Sequence, residues 1–120
     1  MLAKTILTAE ELGITEEEHA ALIEVRRRIV TGEIPAEGLN MGRSRIDAGC
    51  GTIGCIGGWM GVVMGLSQGE TRFFVSFKAP YTPLLDLFFR YPNTPNYNDP
   101  DVIVRQIDRF LAGKRPWSRR

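Results

Sequence analysis

Hydrophobic residues near the start of the chain recur about every three or four positions, with charged residues between them. Leu22, Val25 and Ile29 form such a stripe. This spacing places them on one face of an amphipathic helix, which we expect at about 15–31. Glutamates crowd its first turn and arginines its last, the order that the helix dipole favours, and Gly32 suits its end.

Two capping boxes lie in this part of the chain. In a capping box, a Thr and a Glu three residues later each accept a hydrogen bond from the other's backbone N–H. Thr8 with Glu11 predicts a short helical turn that ends at Gly13. Thr15 with Glu18 opens the long helix.

The second half of the chain predicts two more helices. Pro83 suits the first position of a short helix rich in Leu and Phe, at about 83–90. Asp99 and Pro100 suit the cap and the first position of an amphipathic helix at about 100–112.

Between Asp47 and Glu70 the sequence carries no charged residue. We expect Thr52 to cap a helix there, at about 53–66. Because this helix is apolar around its whole circumference, it should be buried on all sides and form the centre of the fold. The uncharged run is about long enough to cross a bilayer, but glycines and polar residues interrupt it, so we favour a buried core helix over a membrane span.

Glycines form a ridge along this central helix, at Gly57, Gly61 and Gly65. Each glycine lowers helix stability by about 1 kcal/mol relative to Ala. Close approach of another backbone offsets such a cost. We therefore expect a second helix against this face, with Gly58 and Trp59 completing the packing motif.

Four helices without an evident strand pair predict a small all-α bundle, with residues 1–120 as a single domain. Residues 33–49 are rich in Gly and Pro and predict a loop. Residues 71–78 predict an irregular or short helical connection. The basic tail, 114–120, is expected to fray, although Trp117 suits an anchor that ties it to the body.

Composition is typical of a cytoplasmic globular protein. Hydrophobic residues make up 43% of the chain and charged residues 24%. A net charge of +1 gives no overall attraction to nucleic acid or to acidic membranes. The first residues lack the basic and apolar segments of a secretory signal. The 2 cysteines are therefore more typical of reduced thiols than of a structural disulfide.

Candidate chemistry lies at the start of the central helix. The glycines here match the pattern of dinucleotide-binding loops, but no buried strand precedes them, as that fold requires. Free backbone N–H groups at a helix start can still hold an anion. The candidate thiol or anion site comprises Cys50, Gly51, Thr52, Gly54 and Cys55.

The two cysteines leave several interpretations open. Cys55 would fall in the first helical turn, where the helix dipole lowers a thiol pKa. A reversible disulfide with Cys50 is one alternative, and two inert buried thiols are another. No metal or cofactor is predicted, because the cysteine spacing and the single histidine, His19, do not complete a ligand set. His19 itself is more typical of a structural residue than of a catalyst.

Two groups of cations suggest binding surfaces. Arg26, Arg27 and Arg28 are typical of a solvated helix end, with a partner-binding patch as the alternative. The tail Lys114–Arg120 can contact phosphates, and Trp117 within it can stack on a base.

The run Cys50–Trp59 resembles a motif of short uncharacterised bacterial and phage proteins, Cys-Gly-Thr-x-x-Cys-x-Ala-Gly followed by Trp or His. Asn40-Met41 before it, and Leu87-Phe88 and Ile103–Leu111 after it, are similar to segments of that group. Gly57 stands where Ala is usual. The resemblance implies a recurring architecture without an established reaction, so it assigns no catalytic residue here.

The sequence shows no pairing of a nucleophile with a base. It therefore predicts a non-enzymatic structural or protein-interaction module, with Phe73–Phe77 as a candidate homodimer face. One alternative is a thiol-redox or anion-binding protein that acts through Cys50 and Cys55. Another is a weak nucleic-acid binder that uses the basic tail.

Overall fold

The computed structural model describes residues 6–41, 45–48, 51–67, 83–84, 87, 96 and 98–117. Four helices can be described over their full length, α1 (Ala9–Leu12), α2 (Glu16–Thr31), α3 (Ile56–Val63) and α4 (Pro100–Leu111). They pack together into one compact body, and the predicted all-α class is confirmed.

A short hairpin accompanies the helices. β1 (Arg45–Ala48) pairs antiparallel with β2 (Gly51–Gly54), and a 3-10 turn at Ala36–Gly38 precedes them. The Asn40 N–H donates to the Gly54 carbonyl at 3.0 Å, which joins the segment after that turn to β2. The sequence analysis assigned the β1 residues to a loop, so this hairpin is an addition to the expected all-helical layout.

Helix α2 is the hub of the described structure, because α1, α3 and α4 all pack against it. Its stripe residues Leu22 and Val25 are fully buried. The predicted bounds and the capping box are confirmed, with the Glu18 N–H donating to Thr15 Oγ1 at 3.0 Å. The fully buried side chains that α3 and α4 contribute to the same core are Ile56, Met60, Ile103, Ile107 and Leu111.

Helix α3 is shorter than the predicted 53–66, and its start was misassigned. Thr52 does not cap a helix but lies opposite Asp47 in the hairpin, and Cys55 is the residue that precedes the helix. β-Branched residues such as Thr52 and Ile53 favour extended backbone. Their pairing with β1 therefore satisfies backbone groups that the sequence analysis assigned to a helix.

The end of α3 was also misassigned, because Gly65 stops the helix and does not extend the glycine ridge. Its φ is +74°, and its N–H donates to the Val62 carbonyl at 3.1 Å. The Leu66 N–H donates to the Gly61 carbonyl at 2.9 Å, which completes a Schellman motif. Gly57 and Gly61 are buried as expected, and a helix backbone against them stays a prediction.

Helix α4 and the residues after it follow the sequence prediction closely. Asp99 caps the helix by accepting from the Asp101 N–H at 2.9 Å. Trp117 is 3% exposed, and its indole N–H donates to the Leu87 carbonyl at 2.6 Å. The predicted anchor is thus confirmed, and the first residues of the basic tail are tied down as far as Trp117.

Other predictions fall largely outside the described residues. Of the helix predicted at 83–90, Leu84 and Leu87 are helical and buried. The ranges 71–78 and 118–120 lie outside the description altogether. Among the helices that the structure does describe, none combines the length and the apolar character that crossing a membrane requires.

Ion pairs hold the three arginines of α2, one of them to α4. Arg26 forms a two-point pair with Asp108 of α4, with Nε–Oδ1 and Nη2–Oδ2 distances of 2.5 and 3.1 Å. Arg28 pairs with Glu24 of the same helix at 2.8 Å, and Arg27 also binds Glu24. The arginine triplet is therefore engaged within the protein.

Replacing Gly113 by Ala should destabilise the fold more than replacing Gly65. Both residues have positive φ, which costs an L-residue about 1–2 kcal/mol. A Cβ at Gly65 meets open space, whereas one at Gly113 would lie 2.7 Å from Leu7 Cδ1. Moving Leu7 off its rotamer should add about 0.5–1.5 kcal/mol. Urea unfolding measures this difference, which should vanish in a Leu7→Ala background; equal losses in the native background would contradict the contact.

The Arg27 and Arg28 guanidiniums lower the pKa of the Glu24 carboxyl to about 2, from 4.5 without these partners. This ion pair therefore stabilises the fold above about pH 4.5, and its contribution is lost as pH falls toward 2. Glu24→Gln should lower stability at neutral pH and flatten the fall in stability across that acid range. Urea unfolding over a pH series tests this, with the exposed Glu17→Gln as control; an unchanged acid slope in Glu24→Gln would refute it.

Candidate functional site

The structure divides the predicted thiol or anion site between two elements. Gly51, Thr52 and Gly54 lie on β2, and Cys55 directly precedes α3. Cys50 lies outside the described residues. The free N–H groups at the start of α3 belong to buried residues, so a dissolved anion has no open path to them. The helix start therefore does not form the exposed anion site that the sequence suggested.

Cys55 is a buried free thiol that is 4% exposed. Burial raises the pKa of this thiol, and the backbone N–H groups of Gly58 and Gly57 only partly oppose that effect. The predicted lowering of the pKa by the helix dipole is therefore wrong for Cys55. A protonated, enclosed thiol is a weak nucleophile, so the geometry favours a packing role.

Most residues of the predicted packing motif lie in the interior. Gly57, Gly58, Trp59 and Gly61 are all buried on α3. The Trp59 indole N–H donates to the Gly38 carbonyl at 2.9 Å. This bond joins α3 to the 3-10 turn. The segment Cys55–Gly61 therefore packs in the interior of the fold.

Leu7 is held in place by both of its backbone polar groups. Its N–H donates to the Leu111 carbonyl at 2.8 Å, and its own carbonyl lies 2.9 Å from His19 Nε2. These two bonds hold the segment around Leu7 between α2 and the end of α4. His19 therefore helps to fix Leu7, which is a structural role.

Two surface clefts meet at Leu7. The first, the apolar cleft, has a volume of about 380 Å³. Its hydrophobic lining consists of Leu7, Leu12, Pro83, Phe110 and Pro116. Glu11, Lys114 and Arg115 are exposed and also border it.

The second cleft, the basic cleft, has a volume of about 520 Å³. Its charged lining consists of Arg105, Asp108, Arg109 and Lys114, and Ile6, Leu7 and Ala112 supply its apolar surface. Leu7 and Lys114 line both clefts, so the two are adjacent, and the pair is called the depression at Leu7.

The positive charge of this depression is only partly neutralised. Asp108 is bound by Arg26, and the Glu11 carboxylate accepts from the Thr8 N–H at 2.9 Å. Neither Arg105 nor Lys114 has a carboxylate within ion-pair distance among the residues that the structure describes. The joined clefts therefore combine apolar surface with cations that are available to a ligand.

The sequence analysis missed this depression, because its residues come from both ends of the chain. One local signal was present. Leu7 and Leu12 occupy the positions of a hydrophobic staple around the Thr8 cap, a pattern that fixes how the chain enters a helix. Leu7 therefore had a sequence signature, but its neighbours on α4 did not.

No cluster of three or more His, Cys, Asp or Glu side chains suited to a metal ion occurs within the described ranges. Comparisons of the chain with protein-family models, with curated proteins and with solved structures gave no match. The resemblance of the cysteine motif to short bacterial and phage proteins stays a prediction.

Cys55 should be unreactive in the native protein because it is enclosed and its pKa is raised. The test uses a Cys50→Ser variant, so that Cys55 is the only thiol, and a coloured disulfide reagent. We expect full labelling in denaturant and almost none under native conditions. Rapid stoichiometric labelling of the folded variant would contradict the buried thiol, and a variant lacking both cysteines gives the background.

Proposed function

We propose that this chain is a non-enzymatic protein-interaction module, and that its docking surface is the pair of clefts that meet at Leu7. The observation that carries the proposal is the combination found there. Apolar side chains from three parts of the chain lie beside Arg105 and Lys114, which have no carboxylate partner in the described structure. Protein-binding surfaces combine an apolar core with a polar rim in this way.

The shape of the clefts favours a macromolecular partner. Small-molecule sites enclose most of their ligand. Both clefts are instead broad and open to solvent, although their volumes of about 380 and 520 Å³ fall in the usual range for ligand sites. A peptide segment lying across an open groove uses such a shape well.

The two alternatives from the sequence have less support. A thiol-redox or anion-binding role needs an accessible Cys55 or accessible helix N–H groups, and both are buried. Nucleic-acid binding by the tail loses its stacking residue, because Trp117 packs in the interior. A homodimer through Phe73–Phe77 remains a proposal, since that segment lies outside the described residues.

We also propose that the protein acts in the cytoplasm, as its composition predicts. A reducing compartment suits a domain whose Cys55 is a free thiol. A bacterial or phage origin rests on the resemblance of the cysteine motif alone.

The docking surface can be tested with a random peptide library displayed on phage and selected against the intact protein. Selected peptides should shift the amide resonances of Leu7, Leu12 and Gly113. Lys114→Trp places a bulky side chain where the clefts join and should weaken binding by about tenfold or more. Val30→Trp, at a position that is 60% exposed on α2, is the matched control and should bind normally.

Two outcomes would overturn the proposal. One is the failure of any peptide to bind above background. The other is binding that shifts amides away from the clefts and is indifferent to Lys114→Trp.

A further inference from the structure

We infer that the partner is an acidic protein segment with at least one apolar anchor side chain, which lies across the clefts at Leu7. This inference rests on the proposed docking function and adds the chemistry of the partner. Carboxylates would meet Arg105 and Lys114 in the basic cleft. The anchor would enter the apolar cleft beside Phe110 and Pro116.

The acidic character of the partner is inferred from cations that have no carboxylate partner among the described residues. Each arginine of α2 has a carboxylate partner within the protein, namely Asp108 for Arg26 and Glu24 for both Arg27 and Arg28. Arg105 and Lys114 have none among the described residues, and both are exposed. The positive charges of the α2 arginines are therefore paired within the domain, whereas those of Arg105 and Lys114 at the basic cleft have no carboxylate partner in the described structure.

The acidic residues near the depression do not cancel this charge. Asp108 is held by both Nε and Nη2 of Arg26. The Glu11 carboxylate accepts one hydrogen bond, from the N–H of its cap residue Thr8. The cations that line the two clefts outnumber the two lining carboxylates, Glu11 and Asp108, so carboxylates from a partner are the complementary groups. Such charge complementarity orients a partner and speeds its association.

The anchor side chain of the partner is inferred from the apolar cleft. Leu12 and Phe110 form buried parts of its wall, and Leu7 lines both this cleft and the basic cleft. An aliphatic or aromatic side chain placed there removes apolar surface from water, at about 25 cal/mol per Å². The anchor thus supplies affinity, and the adjacent cations select the charge of its flanks.

A single-stranded nucleic acid fits this surface less well. Proteins that bind such strands combine cations with aromatic side chains on which bases stack. Trp117, which follows Lys114 closely in the sequence, is buried and donates its indole N–H to the Leu87 carbonyl. Among the described residues that line the clefts, the one aromatic side chain, Phe110, is buried. Exposed cations of this kind favour carboxylates on a peptide, and an oligonucleotide serves as the rival probe.

The experiment measures fluorescence anisotropy of the intact protein with four probes. They are a short peptide of Asp and Glu around a central Leu and Phe, the same peptide with Lys and Arg for the acids, the acidic peptide with Ser for the anchors, and single-stranded DNA of equal length. The acidic anchored peptide should bind best and should weaken as salt rises. Arg105→Glu should weaken it by about five- to tenfold. Arg27→Glu makes the same charge change on α2 and should leave it nearly unchanged.

The outcomes separate this inference from the proposed function. Equal binding of the acidic and basic anchored peptides, with both lost in Lys114→Trp, would overturn the acidic preference and leave the docking surface standing. Tighter binding of the DNA, dependent on Arg105, would overturn it in favour of nucleic acid. If no peptide binds, both proposals fail. Circular dichroism of every variant confirms that lost binding is not lost folding.

Discussion

The structure depends on burial of the apolar stripe of α2. Leu22 and Val25 are fully buried, and each of the other described helices packs against this one. α3 and α4 share few contacts with each other, so α2 is what joins them. The Arg26–Asp108 pair adds a fixed point between α2 and α4, but burial of an aliphatic stripe contributes more than a partly exposed ion pair.

Three hydrogen bonds from side chains to backbone carbonyls complete this core. Two indole N–H groups reach across the fold, from Trp59 to Gly38 and from Trp117 to Leu87. His19 likewise fixes the Leu7 carbonyl. The hydrogen bonds of Trp117 and His19 hold the two ends of the described chain in place. The depression at Leu7 arises where those ends meet, so the same contacts that close the fold also shape its candidate docking surface.

Local patterns predicted what depends on local chemistry. The Thr15–Glu18 capping box and the Asp99 cap each satisfy orphan backbone groups within one turn, and both were found where predicted. Thr52 was misassigned because its cap-like chemistry competes with β1, a partner that its own neighbourhood does not reveal. Gly65 was assigned to the packing ridge, but its positive φ makes it the residue that ends the helix. The clefts could not be predicted, because they form only when Leu7 reaches α4.

The central claim is that α2 couples α3 and α4 into one cooperative unit. The most direct test measures urea unfolding by fluorescence in Trp59→Phe and Trp117→Phe, so that each variant reports through the other tryptophan. Leu22→Ala should remove the same free energy, about 2–5 kcal/mol, in both backgrounds, with circular dichroism following the same transition. A loss seen by only one tryptophan, or transitions that separate, would show that the two helices fold without α2 as their common support.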